Sequence, residues 1–321
     1  MNKHRVSPER IGRVGGLAVA LGVGVGMAAM PWSAAAEPDG SGPNISVSHD
    51  GDVKVVKGTA TAVSDGQGST AVAHGFGSYA EATGGTNNHA IASGTRSVAI
   101  AKDGDNNTAK ATGMGSHAIA AFGSGNTATA TGTNSYAAAV YGDNNTATAT
   151  GINAGATAGF GDGNAAKATG TNAYAAAGDK DDVRGPGNNN NTAKAIGDNS
   201  TALAGTYGSG SDGNVAIAYG PDTTAIAGSD GNNNDSNSAV AFGPGSQAMA
   251  ARYGSDSSSN SATATDGASA LAGTGGDDSD ANTASATGAG SIAAAGTTTT
   301  DEINLDGYTA NASGGDVVHN P

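Results

Sequence analysis

Asn126-Thr-Ala-Thr-Ala-Thr-Gly132 and Asn145-Thr-Ala-Thr-Ala-Thr-Gly151 lie 19 residues apart. Each reads as a short strand. Alternation of period two puts Ala128 and Ala130 on one side and Thr127, Thr129 and Thr131 on the other. Helix is excluded, because Gly or a Gly-Asn pair interrupts the chain every six to ten residues. Those glycines supply the positive φ that tight corners need.

The spacing extends in both directions. Ser69, Asn88, Asn107, Asn126, Asn145 and Asn164 each begin such a segment at intervals of 19. Asn191, Asn214, Asn237, Asn260 and Asn282 continue the series at 27, 23, 23, 23 and 22, which makes eleven units. A second series starts at Ser78, Ser97, Ser116, Ser135, Ala154 and Ala173, then Ser200, Thr223, Ser246, Ala268 and Ser291. A fixed repeat period is the signature of a solenoid. The expected fold is therefore all-β, a parallel β-roll or β-solenoid of about eleven two-strand coils.

Positions three and five of both strands are Ala in nearly every coil, so the expected core is a thin stack of methyl groups. Position one shares their parity and should form a stacked Asn ladder inside one corner. Phe122, Tyr141 and Phe160 also recur at 19. The bulk of these rings predicts a buried wedge at one end of the roll; the alternative is an exposed ladder on which sugars stack.

The composition agrees with a small-residue core. The 321 residues include 54 Gly, no Cys, four Phe and one Trp, Trp32. Residues 1–36 read as an export signal. Lys3, Arg5, Arg10 and Arg13 precede the uncharged stretch from Val14 to Met30, and Ala34-Ala35-Ala36 offers a cleavage site. The expected location is extracellular, with surface association open. Removing those residues takes away four bases and one acid, leaving 10 bases against 27 acids, or −17. So acidic a surface argues against a nucleic-acid partner. Without Cys, no disulfide stabilises the exported chain.

Residues 37–57 are expected to hold an N-terminal cap hairpin, with Asp50-Gly51 as its turn and Ile45, Val47, Val53 and Val55 alternating. Coils fill 58–296. Residues 297–321 read as a C-terminal cap and tail, with Ile303, Leu305, Ala310 and Ala312 as its apolar positions. Three insertions, at Gly185–Asn191, Gly228–Asp235 and Gly275–Asp280, enter from one corner and predict a fringe of acidic, flexible loops.

Ser97-Val-Ala-Ile-Ala, Asn214-Val-Ala-Ile-Ala-Tyr-Gly and Asn237-Ser-Ala-Val-Ala-Phe-Gly resemble the YadA-like, Hep/Hag-type head repeat of trimeric autotransporter adhesins. The resemblance spans about residues 58–296. It implies a left-handed parallel roll, three-fold self-association and a host or surface ligand. The coils here are longer than that family's unit. Neither a heptad stalk nor a membrane-barrel segment is present in this sequence, so autotransport is not expected.

No catalytic constellation emerges. His74, His89 and His117 fall at outward parity on different strands, without a matching nucleophile or carboxylate, whereas acid–base chemistry needs converging groups. A glycan-cleaving enzyme would need paired acids on one strand face, and only Glu81 is found there. No cofactor is expected. The Asp-rich loops could hold Ca2+ through carboxylate oxygens, but solvated turns explain them equally well. The Thr rows resemble an ice-binding grid, yet Lys110, Lys167 and Lys194 break it.

Outward positions of the second strand give the sharpest functional signal. Val98, Ile100, Ile119, Tyr136, Val140, Tyr174, Leu203, Ile226, Met249, Leu271 and Ile292 predict an apolar stripe along the whole rod. From Asn107 to Asn164 the first strand instead shows Thr and Lys. A long apolar stripe marks an interface. The expectation is a non-enzymatic, adhesin-like secreted protein, self-associating as a homotrimer through the second sheet. The alternative is a secreted solenoid that binds ice, carbohydrate or Ca2+, with the stripe facing a ligand or the cell envelope.

Overall fold

The computed structural model describes residues 43–178, 187–275, 277–296 and 306–320. The export signal, Trp32, the start of the first insertion, Gly276, Ile303 and Leu305 lie outside the described residues. Among the described residues are 27 strands and no helix.

The strands form two sheets. Sheet A has fourteen strands and sheet B thirteen. A hairpin of β1 (Ile45–His49) and β2 (Asp52–Lys57) opens sheet A, and β3 (Thr61–Ser64) opens sheet B. The remaining twelve strands of each sheet pair off as twelve coils. Coil 1 contains Thr70–His74 and Tyr79–Thr83; coil 12 contains Thr309–Ser313 and Val317–Asn320. At ~4.8 Å per coil the rod is ~55 Å long.

Every coil stacks parallel and in register on the next. In sheet A, Ala109, Ala128 and Ala147 fall in one column, as do Ala111, Ala130 and Ala149. These residues are fully buried, and the core is a continuous run of Ala from Ala60 to Ala312. Ala has no side-chain rotamers to lose, so each coil orders its core at little entropic cost. The small core cannot absorb an added side chain, because neighbours sit directly above and below.

The Asn ladder is present. Asn107, Asn126, Asn145 and Asn164 each donate their backbone N–H to the Oδ1 of the Asn one coil earlier, at 2.9–3.0 Å. Their Nδ2 groups satisfy corner carbonyls, as in Asn145 Nδ2 to Gly161 O at 2.8 Å. Burying this amide column costs little because every rung is bonded.

The ends differ from the expectation. The hairpin turns at Asp50-Gly51 as read, and β1 pairs antiparallel with the first strand of coil 1. A register shift in β2 leaves Val53 exposed, while Val55 packs on Ile45, Val47 and Val72. The segment from Thr309, expected as a cap, is a further coil in register on coil 11. Its inward positions are enlarged: Val318 and Asn320 stand where coil 11 has Ala293 and Ala295. Tyr308 ends the Asn ladder, donating its N–H to Asn282 Oδ1 at 2.9 Å.

The insertions are not a loose fringe. Where described, they add a third short side with its own buried ladder. Ser211 N–H donates to Asn188 Oδ1, Asn234 N–H to Ser211 Oγ, Ser257 N–H to Asn234 Oδ1 and Ser279 N–H to Ser257 Oγ, at 2.9–3.1 Å. Asn188, Ser211, Asn234, Ser257 and Ser279 are all fully buried. Their spacing of about 23 residues repeats coil by coil, so each insertion templates the next.

Candidate interaction surfaces

The outward faces and corners carry the available chemistry, since inward positions are filled by Ala and the amide ladders. On sheet B the predicted residues all point outward, but the stripe is less exposed and less continuous than expected. Its central column runs Ile100–Ile119–Ala138–Thr157–Ala176–Leu203–Ile226–Met249–Leu271. Ala138, Thr157 and Ala176 interrupt it. Column neighbours ~4.8 Å apart cover one another, so Ile226, between Leu203 and Met249, is only 4% exposed, while Val140, 9% exposed, packs with Ala121 and Ala138. Tyr136 and Ile292 are exposed; Val98, Ile100, Ile119, Tyr174, Leu203, Met249 and Leu271 are half-buried. Tyr174 leans across Gly155, where any side chain would meet its ring.

Glu81 lies in this column between Val63 and Ile100. Tyr79 Oη donates to its Oε2 at 2.7 Å and Thr83 Oγ1 to its Oε1 at 3.0 Å. Partial burial, with the bond to Glu81 and its charge, pushes the Tyr79 phenol up to about 12. Tyr79 therefore stays a neutral donor and fixes the carboxylate.

The aromatic column corrects the sequence reading. Phe122 and Tyr141 are exposed at a corner rather than wedged inside. The reason is backbone geometry: Phe122, Tyr141 and Phe160 have φ of 59°, 56° and 55°. Strand parity does not carry through such a residue. Their rings stack at 4.8 Å, and Lys102 Nζ lies 5.9 Å from the Phe122 centroid. Ring faces within the stack are thus occupied by other rings, whereas a sugar platform needs open faces.

One corner bears an acidic ladder. Thr86 N–H donates to Asp105 Oδ1, Ser124 N–H to Asp143, Asp143 N–H to Asp162, Asp162 N–H to Asn189 and Asp212 N–H to Asp235, each at 2.7 Å. These carboxylates tie coils together through backbone amides. The backbone N–H of Thr86, with its hydroxyl, holds the Asp105 carboxyl below the ordinary carboxylate range. A depressed folded-state pKa gives stability above the ordinary value, lost as pH falls through the folded one. The thermal midpoint should therefore fall below about pH 4. Asp105→Asn keeps the acceptor, as Asn189 does, and should flatten part of that dependence. A pH-independent midpoint would refute this role for Asp105. Among the described residues, no group of three His, Asp or Glu is placed to hold a metal.

The histidines do not converge as a set. His74 and His89 point outward from sheet A and His117 from sheet B. Strand patterning gave no signal for His49. Its Nδ1 lies 3.1 Å from Ser69 O and 3.0 Å from Thr70 Oγ1, and its Nε2 3.1 Å from Asp50 Oδ2. A carbonyl only accepts, so Nδ1 carries a proton and is no base toward Thr70. The trio pins the hairpin turn to coil 1.

Sheet A is polar over much of its length. Thr127, Thr129, Thr131, Thr146, Thr148 and Thr150 are in register, and Lys110 and Lys167 flank them. Coils 10–12 form a second lattice of Ser261, Thr263, Thr265, Thr283, Ser285, Thr287, Thr309, Asn311 and Ser313. Between the lattices lies an apolar patch. Val215, Ile217 and Tyr219 pair with Ser238, Val240 and Phe242, and Ile196 adjoins Tyr219.

Among the described residues no helix is long and apolar enough to cross a membrane. No family model matches the chain, and no curated protein matches it either.

Proposed function

We propose that this chain is an exported, non-enzymatic, adhesin-like surface rod that assembles as a homotrimer through sheet B. The observation carrying this reading is the outward column of Ile100, Ile119, Leu203, Met249 and Leu271 on a rod whose own core is Ala alone. An Ala core buries little apolar area per residue, so packing of this face against copies adds stability the single rod lacks. The resemblance of its repeats to YadA-like heads supports three-fold packing, and the proposed partner beyond self is a cell-envelope or host-surface component.

Light scattering on the chain lacking residues 1–36 should give a trimer at micromolar concentration. Ile100→Asp with Leu271→Asp should reduce the mass, because both side chains are part-exposed and their loss leaves the Ala core intact. A monodisperse wild-type monomer would overturn the reading. The hydroxyl lattices on sheet A favour a second reading, a solenoid that binds ice. Thermal hysteresis by the purified chain would select it.

A further inference from the structure

We infer that sheet A carries a second self-association surface, centred on Tyr219 and Phe242, through which two copies pack face to face with their rods antiparallel. This goes beyond the sheet B trimer and rests on different residues.

The patch consists of Ile196, Val215, Ile217, Tyr219, Val240 and Phe242 on coils 7–9. Tyr219 is 46% and Phe242 52% exposed. Their rings stack at 5.0 Å and 4°, which fixes them as one ridge. Elsewhere the outward residues of coils 4–6 and 10–12 are mainly small hydroxyl side chains, with Lys167 the one long exception, so little keeps a second flat face away. Paired sheets pack ~10 Å apart.

Charge selects the orientation. No acid stands at an outward position on sheet A in coils 1–12, and its fixed charges are Lys110, Lys167 and Lys194. Parallel rods related by a two-fold axis along their length would set each of these lysines against itself. A two-fold axis along the strands, between coils 8 and 9, avoids this. Coil 8 then faces coil 9, coil 7 faces coil 10 and coil 6 faces coil 11. Tyr219 meets Phe242 of the second copy, Ile217 meets Val240, Lys194 meets Thr263 and Lys167 meets Ser285. A two-fold contact is self-complementary in this way. An anionic lipid surface is disfavoured by the acidic ladder along one corner.

Size sets the strength. Eight coils overlap, over ~38 Å by ~17 Å from strand spacing and length. That is about 600 Å2 per copy, at the lower end of specific interfaces. The contact should therefore be concentration-dependent. It should tighten with salt, which screens the acidic corners.

Sedimentation of the chain lacking residues 1–36 tests this across a concentration series. Tyr219→Thr with Phe242→Thr copies Thr265 and Thr287, which occupy the same column, so the coil should be retained; circular dichroism checks it. The variant should lose the two-fold step, and with it every species larger than the sheet B trimer, while Ile100→Asp with Leu271→Asp should leave that step intact. An unchanged mass distribution for the Thr variant would overturn the proposal. A two-fold step lost only in the Asp variant would do the same. Orientation is read with Lys194→Cys plus Thr263→Cys, three coils or ~14 Å apart within one chain. In this Cys-free chain a short bis-maleimide should link that pair between copies. A covalent dimer from Lys194→Cys alone would overturn the antiparallel arrangement.

Discussion

Ala128→Leu is expected to destabilise the purified chain by ~1–3 kcal/mol or more, while Thr129→Leu should change stability by less than ~0.5 kcal/mol. The two positions are adjacent in sequence and opposite in environment. Ala128 is fully buried between Ala109 and Ala147, which occupy its column in the coils below and above. A Leu there adds three carbons to a space two methyl groups wide, and the stacked neighbours cannot move apart without breaking register. Thr129 points outward beside Lys110 and Thr148, where a longer side chain has room. Urea unfolding of both variants measures the difference. Equal tolerance at the two sites would mean the inside and outside of the roll are exchanged.

Asn145→Ala should cost about 1–3 kcal/mol or more, because the buried Asn164 N–H is left without an acceptor, a loss of ~1–3 kcal/mol, and the part-buried Gly161 O also loses its donor. The orphans are Asn164 N–H, which donates to Asn145 Oδ1 at 2.9 Å, and Gly161 O, which accepts from Asn145 Nδ2 at 2.8 Å. Asn232→Ala is the control. Asn232 Oδ1 accepts from Ser209 N–H at 2.9 Å on an exposed corner, where water can replace it, and its backbone lies outside the left-handed region, so Ala adds no strain. That change should cost less than ~0.5 kcal/mol. If thermal unfolding finds the two variants alike, the interior amide column is not what holds the corners.

The sheets were legible because their information is local and periodic. Ala-x-Ala at fixed spacing identifies the inward face, and Asn at position one identifies the ladder. Corners were harder. Phe122, Tyr141 and Phe160 look like core residues by parity and bulk, but their positive φ turns them out. The insertions look flexible by composition, yet Asn188, Ser211, Asn234, Ser257 and Ser279 bond across coils in a way visible only once the coils are stacked. Coverage within a column is equally invisible in a single strand: Ile226 reads as exposed by alternation and is buried by Leu203 and Met249. The apolar patch on sheet A required comparing coils, since Asn107 to Asn164 alone gives a water-facing set while Ile217, Tyr219, Val240 and Phe242 occupy the same columns further along.

The stacking direction also has a mechanical meaning. Hydrogen bonds between coils run along the rod, and the described chain enters through the hairpin and β3 beside coil 1 and leaves at coil 12. A pull on the two ends loads the junction at one end first, and that coil peels away before its neighbour is strained. Each 19-residue coil contributes ~4.8 Å to the folded rod but ~65 Å once drawn out, an extension of about thirteenfold. Tethered at one end and loaded at the other, the molecule would behave as a spool that yields in repeated steps, lengthening under load while the coils still wound keep their surfaces.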